Sequence, residues 1–133
     1  MSHWSDTVAV FDTETTGIDT RFSRIVSAYV GLIDADGVIT GSAERLINPG
    51  VDIPEAAAAV HGITTAHARE HGAEPSGAIA AIAETLAGYF SRGIPVVAYN
   101  ASYDFSILHH EMVRYGHNPL TDPAPIVDPL VVD

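Results

Sequence analysis

Thr7-Val8-Ala9-Val10-Phe11-Asp12-Thr13-Glu14-Thr15-Thr16-Gly17 is the stretch on which the architecture turns. Residues 7–11 are nearly all apolar, which predicts a short central strand buried on both faces. Asp12 and Glu14 stand at its end. Side chains alternate along a strand, so the two carboxylates point the same way. Two like charges beside an apolar core are costly unless a proton, a base or a metal neutralises them. The nearest bases in sequence are Arg21 and Arg24. Hard divalent cations favour such oxygens. Thr15-Thr16-Gly17 then supplies a turn whose amides and hydroxyls suit a nucleotide. A bare D-x-E is more often a solvated strand end, so the pair needs support from elsewhere in the chain.

Outward from that strand, residues 25–33 read as a second strand. Asp36-Gly37 is a hairpin turn signal, and residues 38–47 read as a third strand. The three make an antiparallel meander. Asn48-Pro49-Gly50 breaks the sheet. Pro54-Glu55 opens a short alanine-rich helix over 54–60 that stops before Gly62. Thr64 or Thr65 caps another, ended by Gly72. Ser76 is the expected cap of a longer helix, about 77–91, with Ile79, Ile82, Leu86, Tyr89 and Phe90 on one stripe. Residues 95–99 form a buried strand. Asn100 to Tyr115 reads as a helix whose inner face carries Phe105, Leu108, Met112 and Tyr115. A Pro-rich loop leads to a short strand near Ile126-Val127. The order βββαβαβ, with a crossover helix, predicts a mixed α/β sheet of five strands with helices on its faces. Residues 128–133 read like the start of another helix, so the expectation is one domain over 1–133, C-terminally incomplete.

Asn100 and Asp104 follow the strand at 95–99, four residues apart on one helix face. Open α/β sheets place their sites at the C-terminal ends of parallel strands. Asp104 is thereby expected to approach Asp12 and Glu14. The plainer reading makes Asn100 a helix cap and Asp104 a dipole-favoured residue of the first turn. Three converging carboxylates make a site for Mg2+ or Mn2+. A pair of such ions clamps the attacking and leaving oxygens of a phosphoryl displacement.

Composition sets limits. The chain has 133 residues, 47% of them hydrophobic, with no cysteine. That excludes disulfides and thiolate metal sites. No membrane span or signal peptide is legible, and a cytoplasmic location is the default. Seventeen acidic residues against six basic ones, all arginine, give a net charge of −11. Such a chain is ill suited to gripping long duplex DNA through many phosphates. Bound cations answer this, bringing positive charge to the point where phosphate must sit.

Phe11-Asp12-Thr13-Glu14-Thr15-Thr16-Gly17 resembles the first motif of the DnaQ-like (DEDD) 3′→5′ exonucleases. Tyr99-Asn100-Ala101-Ser102-Tyr103-Asp104-Phe105 resembles their second. Between them, Ile47-Asn48-Pro49 and Val60-His61-Gly62-Ile63-Thr64 are similar to the "NP … HGIT" stretch of the DNA polymerase III epsilon-subunit branch. The resemblance covers nearly the whole chain from about residue 6. It implies a ribonuclease H-like fold with the third strand at one edge. It implies that Asp12 bridges two metals, that Glu14 binds the ion activating water, and that Asp104 supports the second ion. Thr13, Thr15, Thr16, Gly17, His61 and Asn100 would contact substrate, with His61 lining the terminal-nucleotide pocket. His61 reads equally well as a turn residue beside Gly62.

The resemblance has a gap. The family's third motif, an Asp with a His or Tyr shortly before it, should follow the helix that begins near Asp128, and the chain stops first. His109 and His110 come too early. With no general base identified, the 133-residue chain itself is expected to be weakly active or inactive.

His67-Ala68-Arg69-Glu70-His71 also matches the H-x-x-E-H zinc-protease pattern. The segment is short and bounded by Gly72, so a solvated helix is the better reading. The expected function is metal-dependent hydrolysis at the 3′ end of single-stranded nucleic acid, releasing nucleoside 5′-monophosphates. DNA is the first choice, in proofreading or replication beside a DNA polymerase subunit. The alternatives are an RNA-trimming relative, such as RNase T or oligoribonuclease, and a nucleotide-binding module without catalysis.

Overall fold

The alternating and apolar runs form one twisted sheet, seen in a computed structural model that describes residues 7–120 and 126–127. The strands are β1 (Thr7–Thr15), β2 (Ile25–Asp34), β3 (Ile39–Leu46), β4 (Val96–Val97) and β5 (Ile126–Val127). Their spatial order is β3-β2-β1-β4-β5. β1 and β2 pair antiparallel, as do β2 and β3, around a turn in which Asp34 Oδ1 accepts the N–H groups of Asp36 and Val38. β4 runs parallel to β1, and β5 to β4. The ribonuclease H-like mixed sheet is therefore present, with the third strand at its edge.

The helices are α1 (Glu55–His61), α2 (Thr65–His71), α3 (Pro75–Ser91) and α4 (Ala101–Arg114). Gly62 ends α1 in the left-handed conformation at φ 76°, which glycine adopts without steric cost. Thr64 caps α2, its hydroxyl accepting the N–H of His67. Ser76 does not cap α3. Glu74 holds that position and its carboxylate accepts the N–H of Gly77, because Pro75, with its fixed φ and missing donor, fits the first helical residue.

Two strand boundaries and the burial of β1 depart from the sequence reading. β1 runs on to Thr15, so Asp12 and Glu14 lie within the strand, where pairing with β2 carries the ladder through Glu14. Only Val96 and Val97 of the stretch 95–99 are ladder residues. β1 is also not buried on both faces: Ala9 and Phe11 are fully buried, while Val8 and Val10 are half-buried. The reason is one-sided packing. The main core lies on the Ala9–Phe11 face, where Ile79, Ile82 and Leu86 of α3 meet Ile107, Leu108 and Met112 of α4. Phe11 meets Phe105 there at a 5.3 Å ring separation. A small second cluster of Val26, Ile53 and Ala68 anchors α1 and α2 beside the sheet.

Candidate active site

Strand periodicity decides which groups of β1 meet α4. Thr13 and Thr15 continue the Ala9–Phe11 face, the face against α4, while Asp12 and Glu14 alternate away from it. The first turn of α4 is accordingly bonded to the threonines. Thr13 Oγ1 donates to Asp104 Oδ1 at 2.6 Å, and Thr15 Oγ1 lies 2.5 Å from the Tyr103 hydroxyl. Tyr103 OH also donates to Gly17 O at 2.5 Å.

Asp104 is 4% exposed. Burial pushes its carboxyl pKa up to about 6; the Thr13 hydroxyl counters that, and the charge of Asp12 adds to it. Asp12 and Asp104 thus sense one another across the end of the sheet. Asp12 itself is exposed and Glu14 half-buried. Among the described residues, no three carboxylate or imidazole side chains are gathered closely enough to hold a metal ion. The structure brings Asp104 to Thr13 and into the field of Asp12. It does not draw Asp12, Glu14 and Asp104 into one tight group.

A cleft of about 350 Å³ opens beside Glu14. One wall is Thr13 to Ile18 with Tyr103; the other is Pro54, Ala56, Ala57, Val60 and His61 of the α1 region. Thr13, Thr15, Thr16, Gly17 and His61, all expected to contact substrate, therefore line it. Two apolar side chains stand at the cleft almost bare, Ile18 at 93% and Val60 at 84% exposure. Arg24 and His61 brace the floor. Thr16 N–H donates to Arg24 O, and Arg24 N–H to Thr16 Oγ1. His61 holds Thr15 from α1: its Nδ1 accepts the N–H of Ile63, which leaves Nε2 to carry the hydrogen and donate to Thr15 O at 3.1 Å. His61 is thus both a turn residue and a cleft residue. Asn100 precedes α4 as its cap residue, but its side chain makes no capping bond and is exposed; its carbonyl accepts the N–H of Asp104.

Tyr103 is the functional candidate that sequence reasoning passed over. The signal was a hydroxyl at an aromatic position immediately before Asp104. Burial, together with the charges of Asp104 and Glu14, raises its pKa, so it stays a neutral phenol. The zinc-protease pattern finds no support. α2 has seven residues, and the rings of His67 and His71 lie 4.9 Å apart on its surface, tilted by 50°.

The family model RNase_T, described as "Exonuclease", matches residues 9–133. A DNA polymerase III subunit epsilon-like protein of Rhodobacter capsulatus is 37% identical over 116 residues, covering 84% of this chain and 15% of that protein. The zinc-bound E. coli ExoI–ssDNA complex superimposes at a TM-score of 0.79, with 18% identity, over 92% of this chain and 28% of that one. A moderately thermophilic exonuclease I from Methylocaldum szegediense does so at 0.75, with 22% identity, over 92% and 27%. At those identities the two structures speak to the fold. The chain spans well under a third of each of these relatives. With the family model matched over most of its length and a relative above 30% identity, the chain belongs to the exonuclease family.

Proposed function

We propose that this domain hydrolyses phosphodiester bonds at the 3′ end of single-stranded DNA, working 3′→5′ and releasing nucleoside 5′-monophosphates. The observation that carries the reading is the position of Glu14. It lies in the wall of a cleft of about 350 Å³, within the usual range for small-ligand sites, one residue from the hydroxyls of Thr13 and Thr15. Asp12, Glu14 and Asp104 supply only oxygen donors, the chemistry that Mg2+ or Mn2+ favours, and Asp104 is desolvated as a metal ligand often is. These three residues would hold the ions. Bound there, the ions would polarise the phosphodiester and lower the pKa of the attacking water.

The protein's own groups have separate tasks. Thr13 orients the Asp104 carboxylate. The Thr15–Gly17 turn, braced by His61 and Arg24, cradles the terminal nucleotide. The alanines of α1, with Val60 and Ile18, offer an apolar surface with no side-chain donor or acceptor, which suits contact with a base irrespective of its identity. The polymerase-related relative supports a polymerase subunit as partner and DNA replication as the setting. The net charge of −11 fits short single-stranded ends delivered by such a partner.

The test is Mg2+- or Mn2+-dependent release of mononucleotides from a 3′-labelled single strand, with Asp12→Ala as control. Metal-dependent release above the Asp12→Ala level supports the exonuclease. A second reading, a nucleotide-binding module, is favoured by the engagement of Asp104 with Thr13 in place of a gathered carboxylate cluster. Nucleotide binding with no release above the variant's level would favour it.

A further inference from the structure

β3 lies at the edge of the sheet, and its residues 39–45 are all exposed. The ladder decides which of its backbone groups face outward. Ile47 N–H donates to Val26 O, so residues 45, 43 and 41 also turn their N–H and C=O groups towards β2. Those of Ser42, Glu44 and Leu46 turn away. One end of this outer edge is occupied: Ala73 N–H donates to Leu46 O, and Asn48 N–H to Ala73 O. At the other end the pairing skips Thr40, a bulge that ends the regular edge. Between these ends, the N–H and C=O groups of Ser42 and Glu44 have no partner among the described residues. The stretch has no proline or lysine, which commonly block such an edge.

Donors and acceptors at alternate residues are complementary to themselves. A second copy running antiparallel, with Ala43 facing its counterpart, sets Ser42 of each copy opposite Glu44 of the other. Each such pair exchanges both its N–H···O bonds, so every free group is used. The side chains agree with this register. The Ser42 hydroxyl comes opposite a carboxylate, and the small alanines meet at the close, non-hydrogen-bonded position. Arg45 comes opposite Gly41, beside which there is open space. The neighbouring registers are worse. Centring on Glu44 sets like charges face to face and directs Ser42 at the Leu46 carbonyl that Ala73 already uses. Centring on Ser42 sets Glu44 opposite the bulge at Thr40. We propose that this edge is a homodimer interface, in which the β3 strands of two copies pair antiparallel about Ala43 and join their sheets into one. The paired stretch is short, so the dimer is weak, and a net charge of −11 on each copy opposes it at low salt.

Amide hydrogen exchange and small-angle X-ray scattering, both across a concentration series up to ~1 mM, test this. The Ser42 and Glu44 amides should gain protection as dimer forms, and raising salt from ~20 to ~200 mM should favour the dimer by screening the repulsion. Two variants at exposed positions fix the register. Ala43→Glu sets two carboxylates face to face and should weaken the dimer by up to about fivefold. Ser42→Arg faces Glu44 of the other copy and should strengthen it by up to about fivefold for each pair. Protection of Ser42 and Glu44 that does not change with concentration would mean that another segment of the same chain covers the edge, and would overturn the proposal. So would a monomer throughout the series, or a dimer whose affinity moves the same way in both variants.

Discussion

Thr13 gives its hydroxyl hydrogen to the buried carboxylate of Asp104 at 2.6 Å, across 91 residues of sequence. This bond ties the end of β1 to the first turn of α4 and opposes the burial that raises the Asp104 pKa.

The first prediction concerns pH. The folded-state pKa of Asp104 is raised to about 6 from an ordinary 3.8. The sign follows: Asp104 adds stability that is fully present below about pH 3.8 and is lost as pH rises through about 6. A bound cation works against this, because it needs the ionised carboxylate. Mg2+ binding should therefore release a proton near and below about pH 6, and release almost none near about pH 8. Calorimetry in buffers of different ionisation enthalpy measures the proton directly. Thr13→Val, which removes the donor, should move the midpoint upward. Proton exchange absent at about pH 6 would mean that Asp104 does not hold the ion.

A second buried carboxylate lies at the other end of α4. Glu111 is 0% exposed, accepts the N–H of Ile25 at 3.1 Å, and pairs with Arg114. Arg114 also donates to Arg21 O at 2.8 Å. The last turns of α4 thus hold the loop that begins at the cleft floor. Glu111→Ala would leave the amide of Ile25 and the Arg114 guanidinium without their partner. The expected loss is about 3 kcal/mol or more by urea denaturation. Glu111→Gln keeps an acceptor for Ile25 and should lose about half of that. Equal losses in the two variants would show that the charge, and not the amide's partner, carries the effect.

Which parts of this were legible in sequence follows from the range of each signal. Turn residues such as Asp36-Gly37 and Gly62, and the apolar runs of β1, β2 and α3, act locally, so the element order could be read. The placement of Thr15–Gly17 and His61 around one cleft followed from the family motifs. Glu111 could not be read: in His109-His110-Glu111-Met112 it has the texture of a solvated face, and the start of β2 packing over it makes it buried. Nor was it legible that Thr13, and not Glu14, would meet Asp104. That depends on which face of β1 the helix covers, which the spacing of Asn100 and Asp104 does not encode. Glu74 displaced Ser76 as a cap because Pro75 fixes where the helix starts.

Two glycines give a third prediction with opposite signs. A Cβ on Gly72 would come within 2.4 Å of both Ala68 O and Asn48 N, all of it backbone that cannot move aside cheaply. This is where the end of α2 lies against Ile47 and Asn48. Gly72→Ala should cost about 3 kcal/mol and loosen the small cluster under α1. Gly88, inside α3, has nothing within 4 Å of the added carbon. Gly88→Ala should stabilise by about 0.5–1 kcal/mol, since alanine loses less backbone freedom in a helix. Melting temperatures of the two variants should therefore move in opposite directions.

The last prediction is a tautomer. Ile63 N–H donates to His61 Nδ1, so that nitrogen must present a lone pair and the hydrogen must sit on Nε2, aimed at Thr15 O. Long-range nitrogen–proton NMR should show His61 with its hydrogen on Nε2. His61→Ala removes both bonds, and with them the link between α1 and the cleft floor. The Thr15 and Gly17 amides should then exchange faster with solvent, while those of Ala9 and Phe11 in the core should not change. An Nδ1–H signal for His61 would mean that Ile63 donates elsewhere and that His61 does not hold Thr15.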